Sequence, residues 1–332
     1  MALTFILTFA LSFLLSLYGT PIARKAALQF GIVDKPDGNL KTQKTPVPYL
    51  GGLSIYLAFL LSISFTLDFS REVLGIILAG TIILLLGLID DFGVLSPRNK
   101  FMGQAIASFI LIKAGVMITV IALPWWLAVA LTFFWIIGIT NGFNIIDVMD
   151  GLSTGTAFWA SVFFFIVAVL NGKVMIATLT MALAGSLLGF LRYNFEPAKI
   201  YLGDAGSMFI GLVLGSLAMT GSYSFDNNVG FIAPLVILGV PIFDTALVMY
   251  IRLMRGQSIF KGSSDHFALR LRKWALSKKT TVITSYGITV FLGTASLVII
   301  YTSNFIALTI FSSLIFLALV IAYLLRKIDM GL

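Results

Sequence analysis

Apolar runs of about twenty residues recur from one end of the chain to the other, and nothing constrains the fold more. A bilayer core about 30 Å thick needs roughly 20 helical residues to cross it. Inside that core only helices or closed barrels can satisfy every backbone polar group. The runs fall near 2–22, 47–67, 73–89, 101–121, 124–140, 152–170, 174–191, 205–222, 229–251, 280–300 and 304–325. They predict an all-α, polytopic integral membrane bundle of about eleven transmembrane helices in a single domain. Hydrophobic residues make up 59% of the chain and charged residues 11%. A soluble domain carries about 25% charged residues, so a soluble enzyme and a nucleic-acid-binding module are both excluded. Cysteine is absent, which removes disulfides, thiolate metal sites and a cysteine nucleophile.

The charges give the direction. Nineteen of the 22 Lys and Arg residues fall in the loops on one side, Arg71 and Lys173 on the other, and Lys113 inside a run. By the positive-inside rule the N-terminus is outside and the C-terminus cytoplasmic, in a cell membrane crossed many times. The first run has no basic segment before it and no small-residue cleavage site, so it is expected to be a retained anchor. The acids also collect on the cytoplasmic side; only Asp68, Glu72 and Asp226 face out. Any chemistry is therefore expected in the cytoplasmic loops 23–46, 90–100, 141–151, 192–204 and 252–279.

Four acidic groups stand out there. Asp90 and Asp91 follow the run Ile82–Ile89 directly. Adjacent carboxylates at a membrane boundary repel each other, and a mere helix stop needs no such pair. They read as a cation or proton site. Asn144, Asp147 and Asp150 recur every three residues, which on a helix would align them along one face. Their segment holds no Lys or Arg, so oxygen ligands for Mg²⁺ on a phosphate explain it better than a surface turn. Tyr201-Leu-Gly203-Asp204-Ala-Gly206-Ser207 is a Gly-rich turn opening a span. It serves equally as a helix start and as a phosphate seat. Asp244 lies within an apolar run, where a carboxylate marks a functional site or a capped break. Lys44 and Lys100 supply positive charge, as does the 252–279 loop with Asp265, His266, Arg270 and Arg272, the histidine being the only one in the chain. Acids, a divalent ion and Lys or Arg are the usual kit for pyrophosphate chemistry. The residues alone thus predict a Mg²⁺-dependent phosphoryl-type transferase acting on a lipid.

Five motifs in order carry a more specific resemblance. They are Lys44-Thr-Pro-Val-Pro-Tyr-Leu-Gly-Gly52, Gly87-Leu-Ile-Asp-Asp91, Thr140-Asn-Gly-Phe-Asn-Ile-Ile-Asp-Val-Met-Asp-Gly-Leu152, Tyr201-Leu-Gly-Asp-Ala-Gly-Ser207 and Ser264-Asp-His-Phe267. Over residues 40–275 the chain resembles the polyprenyl-phosphate N-acetylhexosamine-1-phosphate transferases, within them the WecA/TagO-like branch, which is described with eleven spans. The resemblance implies transfer of a sugar-1-phosphate from a UDP-N-acetylhexosamine to undecaprenyl or another polyprenyl phosphate, releasing UMP and starting cell-envelope glycan synthesis. Asn144 and Asp204 would ligate Mg²⁺, for which Mn²⁺ can stand in. Asp90 and Asp91 would form the catalytic pair, with Asp91 as the base. Asp147 and Asp150 would position nucleotide, sugar or metal. Lys44, Lys100, His266 and Arg270 would hold phosphates and sugar. Asn194, Tyr201 and Gly203 would hold the uridine, with Tyr201 stacking on the base. Related enzymes are often homodimers.

Related enzymes often carry His-x-His-His in the long loop, whereas here the run is His266-Phe-Ala268-Leu269-Arg270. The difference argues against the branch that transfers phospho-MurNAc-pentapeptide. GlcNAc-1-phosphate is the first expectation for the transferred group, with GalNAc or a 6-deoxy-N-acetylhexosamine behind it. Two alternatives compete. An intramembrane prenyltransferase would use the Asp-rich motifs on isoprenyl diphosphate but leaves the Tyr201–Ser207 motif unexplained. A secondary transporter would place its acids near the midplane in repeated halves, and no internal repeat is present.

Overall fold

The computed structural model describes residues 1–34, 46–119, 123–221, 223–224, 228–258 and 265–330. Lys44, expected to hold phosphate, lies outside the described residues. The helices are α1 (Ala2–Gln29), α2 (Gly51–Thr66), α3 (Arg71–Asp91), α4 (Pro97–Ala114), α5 (Trp125–Ile145), α6 (Leu152–Leu170) and α7 (Val174–Asn194). They continue as α8 (Gly203–Thr220), α9 (Ala233–Ile237), α10 (Gly239–Met254), α11 (Phe267–Lys273), α12 (Lys278–Ile300) and α13 (Asn304–Arg326). Two short strands, β1 (Val33–Asp34) and β2 (Val47–Pro48), pair antiparallel, with Val33 opposite Pro48.

Eight of these helices are long and apolar enough to cross a membrane. A ninth span is formed if α10 is joined to the short segment Gly230–Ile237 that precedes it, the two bent by 71°. The run 229–251 is therefore broken rather than continuous. Pro241, in the first turn of α10, lacks the N–H that would carry the ladder back across the bend. The other two expected spans fall short. The run 47–67 begins as a strand, so α2 has only 16 residues. α4 ends at Gly115, whose φ of +94° closes it at 18 residues, and three cations sit in that length. α5 runs past its expected end to Ile145, which places Asn141 and Asn144 on the helix.

Burial grades from the middle outward. In the most apolar stretch of α8, 78% of residues are buried, against 72% in α7 and 6% in α13. The centre is made of small residues that let backbones touch, as expected where lipid removes the hydrophobic drive between helices. A β-carbon added at Gly52 would lie 2.2 Å from the Gly206 nitrogen, and one at Gly87 2.4 Å from Ala205 Cα. One at Gly211 would lie 2.7 Å from Thr140 Cα. α2, α3 and α5 thus all close on α8, and the ends carrying the motif acids meet at its N-terminus.

Candidate active site

The first turn of α8 is the seat of the site. Leu202, at its N-cap, supplies no side-chain acceptor for the unpaired N–H groups. Asp91, at the last turn of α3, supplies one from across the bundle. Its Oδ1 accepts from the Asp204 N–H at 2.7 Å and its Oδ2 from the Ala205 N–H at 3.3 Å. An anion there also meets the positive end of the helix dipole. Gly203 is required beside it: φ is +75°, and a β-carbon would lie 2.8 Å from Asp91 Oδ2. The Gly-Gly motif of α2 clips onto the same turn. Gly51 and Gly52 donate to the Tyr201 and Leu202 carbonyls at 3.1 and 2.9 Å, and Tyr201 donates to the Pro48 carbonyl at 2.8 Å. Motifs about 150 residues apart in sequence thus form one backbone unit.

Lys100 links the acids. Ser96 caps the start of α4 and Pro97 opens it, setting Lys100 in the first turn. Its Nζ pairs with Asp90 and, at 3.0 Å, with Asp204 Oδ2. It also donates to Asn144 Oδ1 at 3.4 Å. Asn144 Nδ2 in turn donates to Asp204 Oδ1 at 2.8 Å and Ser207 Oγ at 3.0 Å. Asp90, Asp91, Lys100, Asn144 and Asp204 therefore belong to one connected network.

Asp147 and Asp150 do not continue the face of Asn144, because α5 stops at Ile145. Two braces hold the turn that follows: Asp150 Oδ2 accepts from the Ala198 N–H at 2.8 Å, and Asn194 Oδ1 accepts from the Gly151 N–H at 3.2 Å. The turn forms one wall of a cavity of about 420 Å³ that also contains Asp91, Asn194, Tyr201 and Gly203. Among the described residues no cation and no hydrogen-bond donor meets the Asp147 carboxylate. Burial first, then the charges of Asp204, Asp91 and Asp150, push its pKa well above the ordinary carboxylate range. Burial and the neighbouring acids push the Tyr201 phenol up to about 12, so it stays neutral. The cavity also contains Asp34 and Tyr49, which the sequence reading missed. The available signal was that Tyr49 belongs to the Lys44–Gly52 motif, but Asp34 precedes it and is brought alongside only by the β1–β2 pairing.

Other expected substrate contacts are spoken for by the protein. Asn194 is 3% exposed and accepts from Thr154 Oγ1 at 2.9 Å while donating to the Ile200 carbonyl at 3.1 Å. Arg270 is fully buried. It pairs with Asp265 at 2.5 Å and donates to the Leu325 and Ile328 carbonyls, both at 2.9 Å, tying α11 to the end of α13. Its guanidinium is enclosed rather than open to the cavity. His266 packs beside it, with Nδ1 2.8 Å from Asp244 Oδ2.

Among the described residues, no three His, Cys, Asp or Glu side chains converge into a metal cage. The donors that are present fit a hard cation that brings most of its own ligands. Asp147 has no counter-charge among the described residues, and Asp204 and Asn144 add carboxylate and amide oxygens. Mg²⁺ usually sits on one or two carboxylates, completed by phosphate and water.

The site is thus a membrane helical bundle with a cavity lined by Asp34, Asp91, Asp147 and Asp150 and an adjoining network held by Lys100, an arrangement suited to handling phosphate esters with a cation. Residues 73–222 match glycosyl transferase family 4. A probable undecaprenyl-phosphate N-acetylglucosaminyl 1-phosphate transferase of Bacillus subtilis is 32% identical over 96% of this chain and 91% of its own length. A decaprenyl-phosphate N-acetylglucosaminephosphotransferase of Mycobacterium leprae is 30% identical over 78% of this chain and 75% of its own. A phospho-N-acetylmuramoyl-pentapeptide-transferase of Heliobacterium modesticaldum is 31% identical over 86% and 93%. The chain belongs to glycosyl transferase family 4 and is a multi-pass membrane phosphoglycosyl transferase.

Proposed function

We propose that this enzyme transfers N-acetylhexosamine-1-phosphate, GlcNAc-1-phosphate first among them, from a UDP-sugar to undecaprenyl or a similar polyprenyl phosphate. The reaction takes place at the cytoplasmic face of the plasma membrane, releases UMP and begins an envelope glycan. In this reading α2, α4 and the bent α9–α10 pair each cross once. That makes eleven passes, with the N-terminus outside and the C-terminus cytoplasmic.

The observation that carries the reading is Asp147: a cavity-wall carboxylate facing Asp91, Asp150 and Asp204 without a cation of its own. Two phosphate esters could only join these acids if positive charge came with them. Mg²⁺, held by Asp204, Asn144 and Asp147, would supply that charge and polarise the sugar-nucleotide diphosphate. Lys100 neutralises Asp90 and Asp204 and presents further charge to phosphate. Asp91, fixed by two backbone N–H groups and open to the cavity, is placed to take the proton of the acceptor phosphate. That phosphate attacks the phosphorus bearing the sugar; a new P–O–P bond forms as the old one breaks, and UMP leaves. Tyr201 and Gly203, with Asp34 and Tyr49 opposite, form the wall suited to the uridine. Catalysis of this kind is mostly positioning and charge neutralisation.

The test is a panel of UDP-N-acetylsugars, each given to purified enzyme with undecaprenyl phosphate and Mg²⁺. UMP release and a lipid product heavier by one N-acetylhexosamine phosphate support the proposal. Consumption of isoprenyl diphosphate without UMP would replace it.

A further inference from the structure

A buried carboxylate–histidine pair lies outside the residues that line the acid-rich cavity. Asp244, on α10, is completely buried, and His266 is 6% exposed. Its Oδ1 accepts from the Phe267 N–H at 2.7 Å, and its Oδ2 lies 2.8 Å from His266 Nδ1. Beside an ionised carboxylate the ring nitrogen that faces it carries the proton. The contact therefore suits the Nδ1–H form of the imidazole. Nε2 is bonded by none of the described residues and is not among the sealed polar atoms. It meets the space outside the cluster.

The pair is anchored from every side. Asp265, next to His266, is pinned by Arg270 at 2.5 Å and Arg255 at 3.2 Å, so its carboxylate is engaged on that side while Asp244 faces His266. α10 packs on α5 one residue from Asp244: a β-carbon added at Gly142 would lie 3.4 Å from Thr245 Oγ1. Gly142 stands two residues before Asn144, which holds Asp204. The dyad thus shares its supporting helix with the acid network.

We propose that Asp244 is a positioning residue for the transfer: it fixes the tautomer and orientation of His266 so that Nε2 is presented to the phosphates of the sugar nucleotide. In the imidazolium form, whose charge the Asp244 carboxylate would offset, the Nε2–H is the donor that would meet a phosphate oxygen. Buried carboxylates orient catalytic and metal-bound histidines by the same physics. The inference rests on the proposed phosphoryl-transfer reading for its substrate, but not for the state of the ring.

His266 is the only histidine, so ¹⁵N-histidine NMR of the full-length enzyme reads both ring nitrogens without ambiguity. The free wild-type enzyme should show a proton on Nδ1, and UDP-GlcNAc with Mg²⁺ should shift the Nε2 signal. In Asp244→Asn the amide oxygen is needed by the Phe267 N–H. Its NH₂ then faces Nδ1, and the proton should move to Nε2. That variant should lose about 10- to 100-fold in kcat/KM, the usual cost of removing a group that orients such a histidine. His266→Gln should lose a similar factor, and the double variant no more than either. A wild-type ring protonated on Nε2 overturns the inference whether or not any variant folds. So does an unchanged tautomer in Asp244→Asn, or losses that multiply in the double variant. If the wild type turns over no UDP-sugar, the proposed function fails, while the tautomer still decides what Asp244 does.

Discussion

Two charged clusters sit near one end of this bundle, and they are built on opposite terms. Around Asp265 and Arg270 each carboxylate has a matched partner, both residues are at most 1% exposed, and the guanidinium closes on two further carbonyls. Around Asp204 the acids outnumber the cations. Lys100 serves both Asp90 and Asp204, while Asp147 is served by none of the described residues; the Asp204 side chain is 36% exposed. A buried charge needs a partner in the folded protein, or the fold suffers. The first cluster satisfies that rule internally and holds the shape of the 265–273 segment. The second leaves its acids in excess among the described residues; under the proposed function, a metal ion arriving with the substrate would balance them.

Asp204→Asn and Asn144→Ala strike the acid-rich cluster at its centre. Each should reduce turnover by about 10³-fold or more, the scale seen when one transition-state charge contact is lost. Near-normal rates at saturating Mg²⁺ in both would remove these residues from the reacting centre. Arg270→Ala should leave substrate contacts in place but strand Asp265, costing about 3–5 kcal/mol. Thermal inactivation in detergent should move down by several degrees, with the KM for UDP-sugar little changed. Asp91→Asn should slow the chemical step while leaving UDP-sugar binding largely intact; an unchanged kcat would reject Asp91 as the base.

Asp147→Asn gives a smaller effect of distinctive sign. The folded protein holds the Asp147 proton more tightly than an unfolded chain does, because its pKa is raised. Its contribution to stability therefore falls as pH rises from the ordinary carboxylate range towards the raised value. Without divalent ions, Asp147→Asn should melt higher than the wild type at pH 8 and lose most of that advantage at pH 4. Added Mg²⁺ and UDP-sugar should stabilise the wild type more than the variant. Equal melting of both proteins at pH 8 in EDTA would show that Asp147 is not the uncompensated charge of the cavity.

The parts of this account that depend on local pattern were legible in the chain. Runs of apolar residues marked the helices, and Asp90-Asp91, Asn144 and Asp204 announced themselves as polar groups at the ends of such runs. What escaped depends on contacts between distant segments. Nothing near Asp91 says that it caps α8, because the N–H groups it serves are 113 residues away. The three-residue spacing of Asn144, Asp147 and Asp150 suggested one helical face, yet the helix ends between the first and second. The ties that Arg270 and Asn194 make within the protein were equally hidden, because a polar residue in a motif looks the same whether or not it also braces a turn. The bend before α10 was legible only in part: Asp244, following Pro241 within an apolar run, left a capped break as one of two readings. Hydropathy counts apolar residues and is blind to the ladder that Pro241 interrupts.

The central claim is that one divalent ion joins the acids of the cavity to the diphosphate of the sugar nucleotide. Mn²⁺ in place of Mg²⁺ makes this directly visible, through the coupling of its unpaired electrons to ³¹P in the purified enzyme with UDP-GlcNAc. The account predicts one bound Mn²⁺ with ³¹P coupling, and loss of that coupled species in Asp204→Asn. A bound ion without ³¹P coupling, or an unchanged spectrum in Asp204→Asn, would contradict it.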